Sequence, residues 1–327
     1  MIAGHVCMRI LPAVMLRTLA SRVVLTPRFQ GCSQHVYPRV TNSARCLASA
    51  NSLDTFDWGK VAENYESVSP FSKLFAEQCI EMLQIPDVLN RHRILDIAAG
   101  TGTFSLTIAS DCLKATDSSI LATDVSSGMV EIMRHKSARD IKPEIRSCMS
   151  FAVMDGQNLE VPSNTISHLA CVFGIMFFPD RLQGLREMHR VLEPSASAAI
   201  AAWKSVNMPR VMEHVAVAEG RVAPAQLPLP FTQSVHCYAD AGDLTRDLIA
   251  AGFPERAIAV RTVARELVIP TDAVVGALAI NPAFEALGIP RDAVRRRLAA
   301  HPDAAGPDHF TVRGTAHIAL ARKAGPA

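Results

Sequence analysis

From Met1 to Leu53 the sequence has no aspartate, no glutamate and no lysine, yet it holds six arginines: Arg9, Arg17, Arg22, Arg28, Arg39 and Arg45. Carboxylates would oppose both import receptors and a negative matrix potential, so an acid-free, arginine-rich leader with serine and threonine has the composition of a mitochondrial transit peptide. Arg45 stands three positions before the bond between Leu47 and Ala48, the spacing of a matrix-peptidase site. The expectation is a removable leader over 1–53 and a mitochondrial matrix location. A disordered basic arm, or an upstream start codon with a cytoplasmic protein, is the alternative. A secretory signal fits less well, because Arg9 and Arg17 interrupt the apolar region.

Other things are missing as well. The eight cysteines, Cys7, Cys32, Cys46, Cys79, Cys112, Cys148, Cys171 and Cys237, form no Cys-x-x-Cys pair. Neither a metal cluster nor a disulfide framework is suggested, and reduced structural thiols are expected. No uncharged apolar run approaches the roughly 18 residues that span a bilayer; Thr271 to Pro290 is broken by Asp272, Pro282 and Glu285. Without the six leader arginines, 27 basic residues face 31 acidic ones. That mildly acidic balance, with no basic stripe, argues against a nucleic-acid binder. The sequence sets no expectation for oligomeric state.

What is present is an alternation. Val61 to Leu83 reads as one or two helices interrupted at Pro70. Apolar runs at 93–98, 120–123, 150–154, 166–173 and 198–203 read as buried strands, with helical stretches at 103–112, 127–135 and 181–192 between them. Such alternation implies a doubly wound, mostly parallel α/β sheet covered on both faces. Its ligands sit at the carboxyl ends of the strands. Beyond Trp203 the pattern predicts helices over 209–222 and 241–251, a proline-rich crossing at 224–230 and a strand near 257–263. Two helices over 272–301 and a last strand within 309–322 complete it.

The chemistry concentrates in Arg93-Ile94-Leu95-Asp96-Ile97-Ala98-Ala99-Gly100-Thr101-Gly102-Thr103-Phe104. A buried strand delivers Asp96 to its carboxyl end, and a glycine turn lets backbone pass close to a ligand. A dinucleotide site would prefer a third glycine where Ser105 stands. An acid four residues before Gly100 would also repel pyrophosphate. It suits a ligand with a cationic amino group, such as the methionine moiety of S-adenosylmethionine. The next strand ends at Asp124, placed to accept both ribose hydroxyls, although an acid before Ser126 is also an ordinary helix cap. After the third strand, Asp155 is placed to accept a hydrogen bond from an adenine amine, or simply to cap a turn.

These residues, with the Cys171-to-Asp180 and Leu185-to-Pro194 segments, resemble class I S-adenosylmethionine-dependent methyltransferases. The turn Asp-Ile-Ala-Ala-Gly-Thr-Gly is similar to the branch holding ubiquinone and menaquinone C-methyltransferases, a methyltransferase type 11 pattern. The likeness spans about residues 55–205, and 206–327 in outline. It implies a Rossmann-like domain over 54–327 with a seven-stranded sheet, a cofactor core at 54–205, and a substrate lid with the last strands at 206–327. It also implies S-adenosyl-L-methionine as cofactor. Asp96, Gly100 and Gly102 would border its methionine part, Asp124 the ribose, and Asp155 with Gly156 the adenine. Ala98, Thr101, Ser126, Met129 and Phe173 complete the implied contacts, with Tyr65 from the helix segment Val61 to Glu66. Ala98 replaces a glycine common in the family, and the quinone enzymes' further signature around Tyr65 is not evident.

The expected activity is O- or C-methylation of a small, lipophilic or aromatic acceptor, with no metal. No catalytic base stands out: Tyr65, His214 and His236 lie in segments that could reach the pocket mouth, but surface or core-edge roles suit each better. His189 points away from the site. Residues 224–230 and 272–301 are expected as the lid, their apolar Val274, Val275, Leu278, Ile280, Phe284 and Leu287 suiting such an acceptor or simply forming core. Arg291, Arg295, Arg296 and Arg297 read as a solvated helix face. The alternatives are a quinone-pathway C-methyltransferase and a non-catalytic assembly or regulatory protein that keeps the cofactor fold; an NAD-dependent dehydrogenase is a distant third.

Overall fold

The computed structural model describes residues 69–85, 92–111, 118–279 and 281–326, all within the unit Asn42–Ala327. The leader over 1–53 and Tyr65 lie outside them. The first described element is α1 (Ser69–Leu83), whose Phe71, Phe75, Cys79 and Met82 recur at helical spacing and are buried. Pro70 sits in its first turn, where a missing N–H costs nothing; the expected helical residues before Ser69 lie outside the described ones.

Then come β1 (Arg93–Ile97), α2 (Thr103–Asp111), β2 (Ser119–Asp124), α3 (Ser127–Asp140), the short α4 (Pro143–Arg146), β3 (Met149–Val153) and β4 (Ile166–Val172). They are followed by α5 (Arg181–Val191), β5 (Leu192–Val206), α6 (Asn207–Ala218), α7 (Pro230–Val235) and α8 (Ala241–Ala250). The chain ends with β6 (Ile258–Pro270), α9 (Thr271–Ala279), α10 (Pro282–Glu285), α11 (Arg291–Ala299) and β7 (His309–Arg322). The seven strands form one sheet in the order β3-β2-β1-β4-β5-β7-β6. β1 to β5 pair in parallel, and β7 runs antiparallel between β5 and β6.

The expected sheet is therefore present, and its boundaries differ where local signals mislead. Residues 272–301 form three helical pieces rather than two. β5 and β6 are longer than their apolar centres, and α3 runs on to Asp140. β5 follows α5 directly and already includes Glu193 and Pro194. The end of α5 is closed by Lys323, whose Nζ donates to the carbonyls of His189 at 2.8 Å and Leu192 at 2.9 Å.

Strand order reverses between β1 and β4, so their carboxyl ends open a crevice. Two additions reach the same end of the sheet: α6 and α7 follow the carboxyl end of β5, and α9 to α11 join the end of β6 to the start of β7. The lid residues Val274, Val275, Leu278 and Phe284 are buried, and Leu287 packs partly buried against the same core; Ile280 lies outside the described residues. Their apolarity serves core packing, the second of the two readings given for them. Nor is the arginine face of α11 merely solvated. Arg295 pairs with Asp272, and Arg297 donates to Glu219 at 2.7 Å and to the Ala218 carbonyl at 2.8 Å, tying α11 to the end of α6.

Candidate functional site

β1 is buried along Ile94 to Ile97 and carries Asp96 into the crevice at 1% exposure. Its Oδ2 accepts the backbone N–H of Ser105 at 3.1 Å and the Ser105 hydroxyl. Burial pushes this carboxyl up to about 7; the Ser105 hydrogen bonds pull the other way and the nearby Asp124 adds to the rise. Ser105, read in the sequence only as a missing glycine, is thus the partner that holds Asp96. Its signal was its place in the first turn of α2, where a hydroxyl can reach back to the strand.

The turn after β1 is left-handed at Ala98 (φ 53), Gly100 (φ 57) and Gly102 (φ 89). At Gly102 a Cβ would lie 2.8 Å from Met133 Cγ, so glycine is needed there for space as well as for backbone angle. Ala98 is not glycine, and the compensation lies across the crevice: a Cβ on Gly174 would overlap that of Ala98. Gly174, passed over in the sequence, makes room for the departure at Ala98.

Asp124 is tied to this turn. One carboxylate oxygen accepts the Gly100 N–H and the other the Ser126 N–H, both at 2.9 Å. Burial raises its pKa and those donors lower it. Ser126 caps α3 by accepting from the Met129 N–H at 3.3 Å, while the Met129 side chain is buried. Thr101 is fully buried, and its hydroxyl has no hydrogen-bond partner. Such a group is costly unless a ligand completes it. Val125, beside Asp124, is 61% exposed, and Val153 at the end of the neighbouring strand is 55% exposed. These two apolar side chains escaped the sequence reading, although an apolar residue directly after a strand-end acid is a legible signal.

The remaining expected residues are placed less simply. Asp155 is exposed and organises its own turn, accepting the Gln157 N–H at 2.8 Å. Gln157 in turn accepts the Asp180 N–H at 2.6 Å, at the start of α5. Gly156 and Gly184 both give room to the Phe178 ring. Phe173 has φ 62, and its ring stacks on Trp203 at 3.7 Å with Phe75 against its edge; its side chain serves the core. His236 accepts the Val206 N–H through Nε2 at 3.2 Å, burial lowering its pKa. His214 packs on His301, and His189 on Phe253, away from the crevice. Among the described residues no group of His, Cys, Asp and Glu could hold a metal ion, and no helix is long and apolar enough to cross a membrane.

Taken together, a buried carboxyl, three left-handed turn residues, an unpartnered hydroxyl and a second acid bonded to the turn meet at one strand end. They suit a ligand with a cationic amino group and a diol, which is the chemistry of S-adenosylmethionine. A family model described as a methyltransferase domain matches residues 94–195, the stretch that builds this crevice. "Methyltransferase tpcH" of Aspergillus fumigatus is 27% identical over 217 residues, covering 64% of this chain and 73% of its own. "Demethylmenaquinone methyltransferase" of Clavibacter sepedonicus is 29% identical over 170 residues, 49% of this chain and 65% of its own length. Among solved structures, the YcgJ protein of Bacillus subtilis aligns at a TM-score of 0.48 with 16% identity, over 77% of this chain and 98% of that one.

Proposed function

We infer that this chain, an S-adenosylmethionine-dependent methyltransferase through the domain at 94–195, methylates a small lipophilic or aromatic molecule at oxygen or carbon. The observation that carries the cofactor site is the pairing of buried Asp96 with a turn whose Gly100 N–H is held by Asp124. In this reading Asp96 takes the ammonium of the methionine part, and Thr101 supplies its unpartnered hydroxyl. Asp124 accepts the ribose hydroxyls, Val125 and Val153 flank the adenine, and Asp155 with Gly156 borders its edge. Bound cofactor supplies a methyl group already activated on a sulfonium. The protein then needs chiefly to align an acceptor and exclude water, and orientation of this kind contributes on the order of 7–11 kcal/mol in favourable systems. Of the candidate bases, His236 has its Nε2 engaged with the Val206 N–H.

For the acceptor, support comes from Phe177 and Phe231, partly exposed rings stacked 6.2 Å apart beside the carboxyl ends of β4 and β5. A quinol acceptor is favoured as a second reading by the relatives named demethylmenaquinone methyltransferase. Calorimetric titration of the folded protein with S-adenosylmethionine is expected to give saturable binding with one site; a flat titration would remove the enzyme reading and leave the non-catalytic one. We also propose, from composition alone, that residues 1–53 direct the chain to the mitochondrial matrix. A fluorescent protein carrying these 53 residues should enter mitochondria, and replacing the six arginines by glutamine should leave it in the cytosol. Cytosolic location of the unaltered fusion would overturn this.

A further inference from the structure

Glu213 is a buried carboxylate on α6, and its Oε1 accepts the Leu229 N–H at 2.7 Å, directly before α7. This bond fixes the proline-rich crossing onto α6. It sets α7 against the ends of β4 and β5: Phe231 stacks on Phe177, and His236 takes the Val206 N–H. Thr232 shares the helical face of His236, four residues on. Thr232 is 5% exposed, and its hydroxyl has no hydrogen-bond partner. The backbone acceptor one turn back, Pro228 O, is already bonded by Gln233 Nε2 at 2.9 Å.

A buried hydroxyl with nothing to bond is a liability unless something arriving later completes it. Nothing else in the segment needs it: the helix, the Glu213 tether and the ring stack are all made without it. The helix that carries it packs against α6 and against the turn Ile175–Phe177 that follows β4, the side of the crevice away from Asp96 and Asp124.

We propose that the Thr232 hydroxyl recognises an oxygen on the methyl acceptor, selecting aromatic molecules that carry a hydroxyl or carbonyl over their hydrocarbon counterparts. This rests on the methyltransferase reading and adds the substrate class to it. Thr232 is a specificity residue, since removal of a side-chain hydroxyl penalises only ligands that use it.

The test uses the full chain loaded with S-adenosylhomocysteine, with 2-naphthol and naphthalene as probes. Wild type should bind 2-naphthol about tenfold or more tightly than naphthalene. Thr232→Val should lose that preference and Thr232→Ser should keep it, while the affinity for S-adenosylhomocysteine stays unchanged in both. Ligand-free Thr232→Val should melt no lower than wild type, because a hydroxyl without a partner contributes nothing to the fold. A wild type that does not prefer 2-naphthol, a valine variant that retains the preference, or a valine variant that melts several degrees lower while serine does not, would each overturn the proposal. Failure of S-adenosylhomocysteine to bind the wild type would instead remove the methyltransferase reading beneath it.

Discussion

Replacing Asp96 by asparagine should weaken S-adenosylmethionine binding about a hundredfold or more, while making the ligand-free protein more stable at pH 8. Both effects come from one buried carboxyl. Without ligand, burial holds Asp96 near a pKa of about 7, against about 4 in the unfolded chain. Between those values the unfolded state ionises and the folded state stays protonated. Stability therefore falls as pH rises from about 4 to 7, and is level above. Each unit of the difference is worth about 1.4 kcal/mol, so the carboxylate burdens the empty protein at pH 8. Asparagine keeps an oxygen for the Ser105 N–H and removes the charge, and with it this slope.

A bound ammonium reverses the balance. It favours the ionised carboxyl, so below pH 7 binding must expel a proton and affinity should fall about tenfold per unit. Truncating one side of a buried, hydrogen-bonded charge pair costs on the order of 2–5 kcal/mol, which is the source of the expected loss. Calorimetry from pH 5.5 to 8 on both proteins, with thermal melts of each alone, checks this. An asparagine variant that binds as wild type does, or binds with the same pH slope, would place the ammonium elsewhere.

How much of this was legible depends on the distance over which a residue acts. Asp96, Gly100 and Gly102 could be read because they act within one strand-turn-helix unit, where sequence spacing is spatial spacing, and Asp124 because it ends the next strand; its bond to the Gly100 N–H joins the two units. The mostly parallel sheet followed from the same local alternation. The ends of β5 and β6 were less legible. Next to the last strand, β6 interleaves buried Val263 and Ile269 with exposed Thr262, Ala264, Glu266 and Val268, and an edge strand open to solvent needs no continuous apolar run. α7 was hidden because Pro230 reads as a breaker, although proline is well suited to a helix's first turn. Buried apolar residues in α9 and α10 read equally as acceptor-lining or as core, since a helix facing a core and one facing a ligand have the same composition. Ser105 lies in the same window as Asp96 but reads there only as a missing glycine. Gly174 was missed for a different reason: its meaning lies in Ala98 across the crevice, and no short window of sequence contains both.

The Ala98 and Gly174 pair gives that last point a direct test. Gly174→Ala should lower stability by about 2–4 kcal/mol, the range for overpacking at a site that cannot yield. Its Cβ would overlap Ala98 Cβ and come within 3.2 Å of Cys171 Sγ. Neither neighbour moves easily: Ala98 is held at φ 53 in the cofactor turn, and Cys171 is fully buried, its thiol pushed up to about 12 by burial and by Asp96. The displaced element would be the turn itself, so cofactor affinity should fall with stability. Ala98→Gly alone should change little, since it removes one methyl while relieving a left-handed alanine, a backbone state costing about 1–2 kcal/mol. In the double variant glycine at 98 clears the space that alanine at 174 needs, and most of the lost stability and affinity should return. Coupling between neighbours of this kind is about 0.5–3 kcal/mol in double-mutant cycles. Denaturant melts and cofactor titrations of the four proteins measure it, and additive losses would mean that the two residues do not exchange room across the crevice.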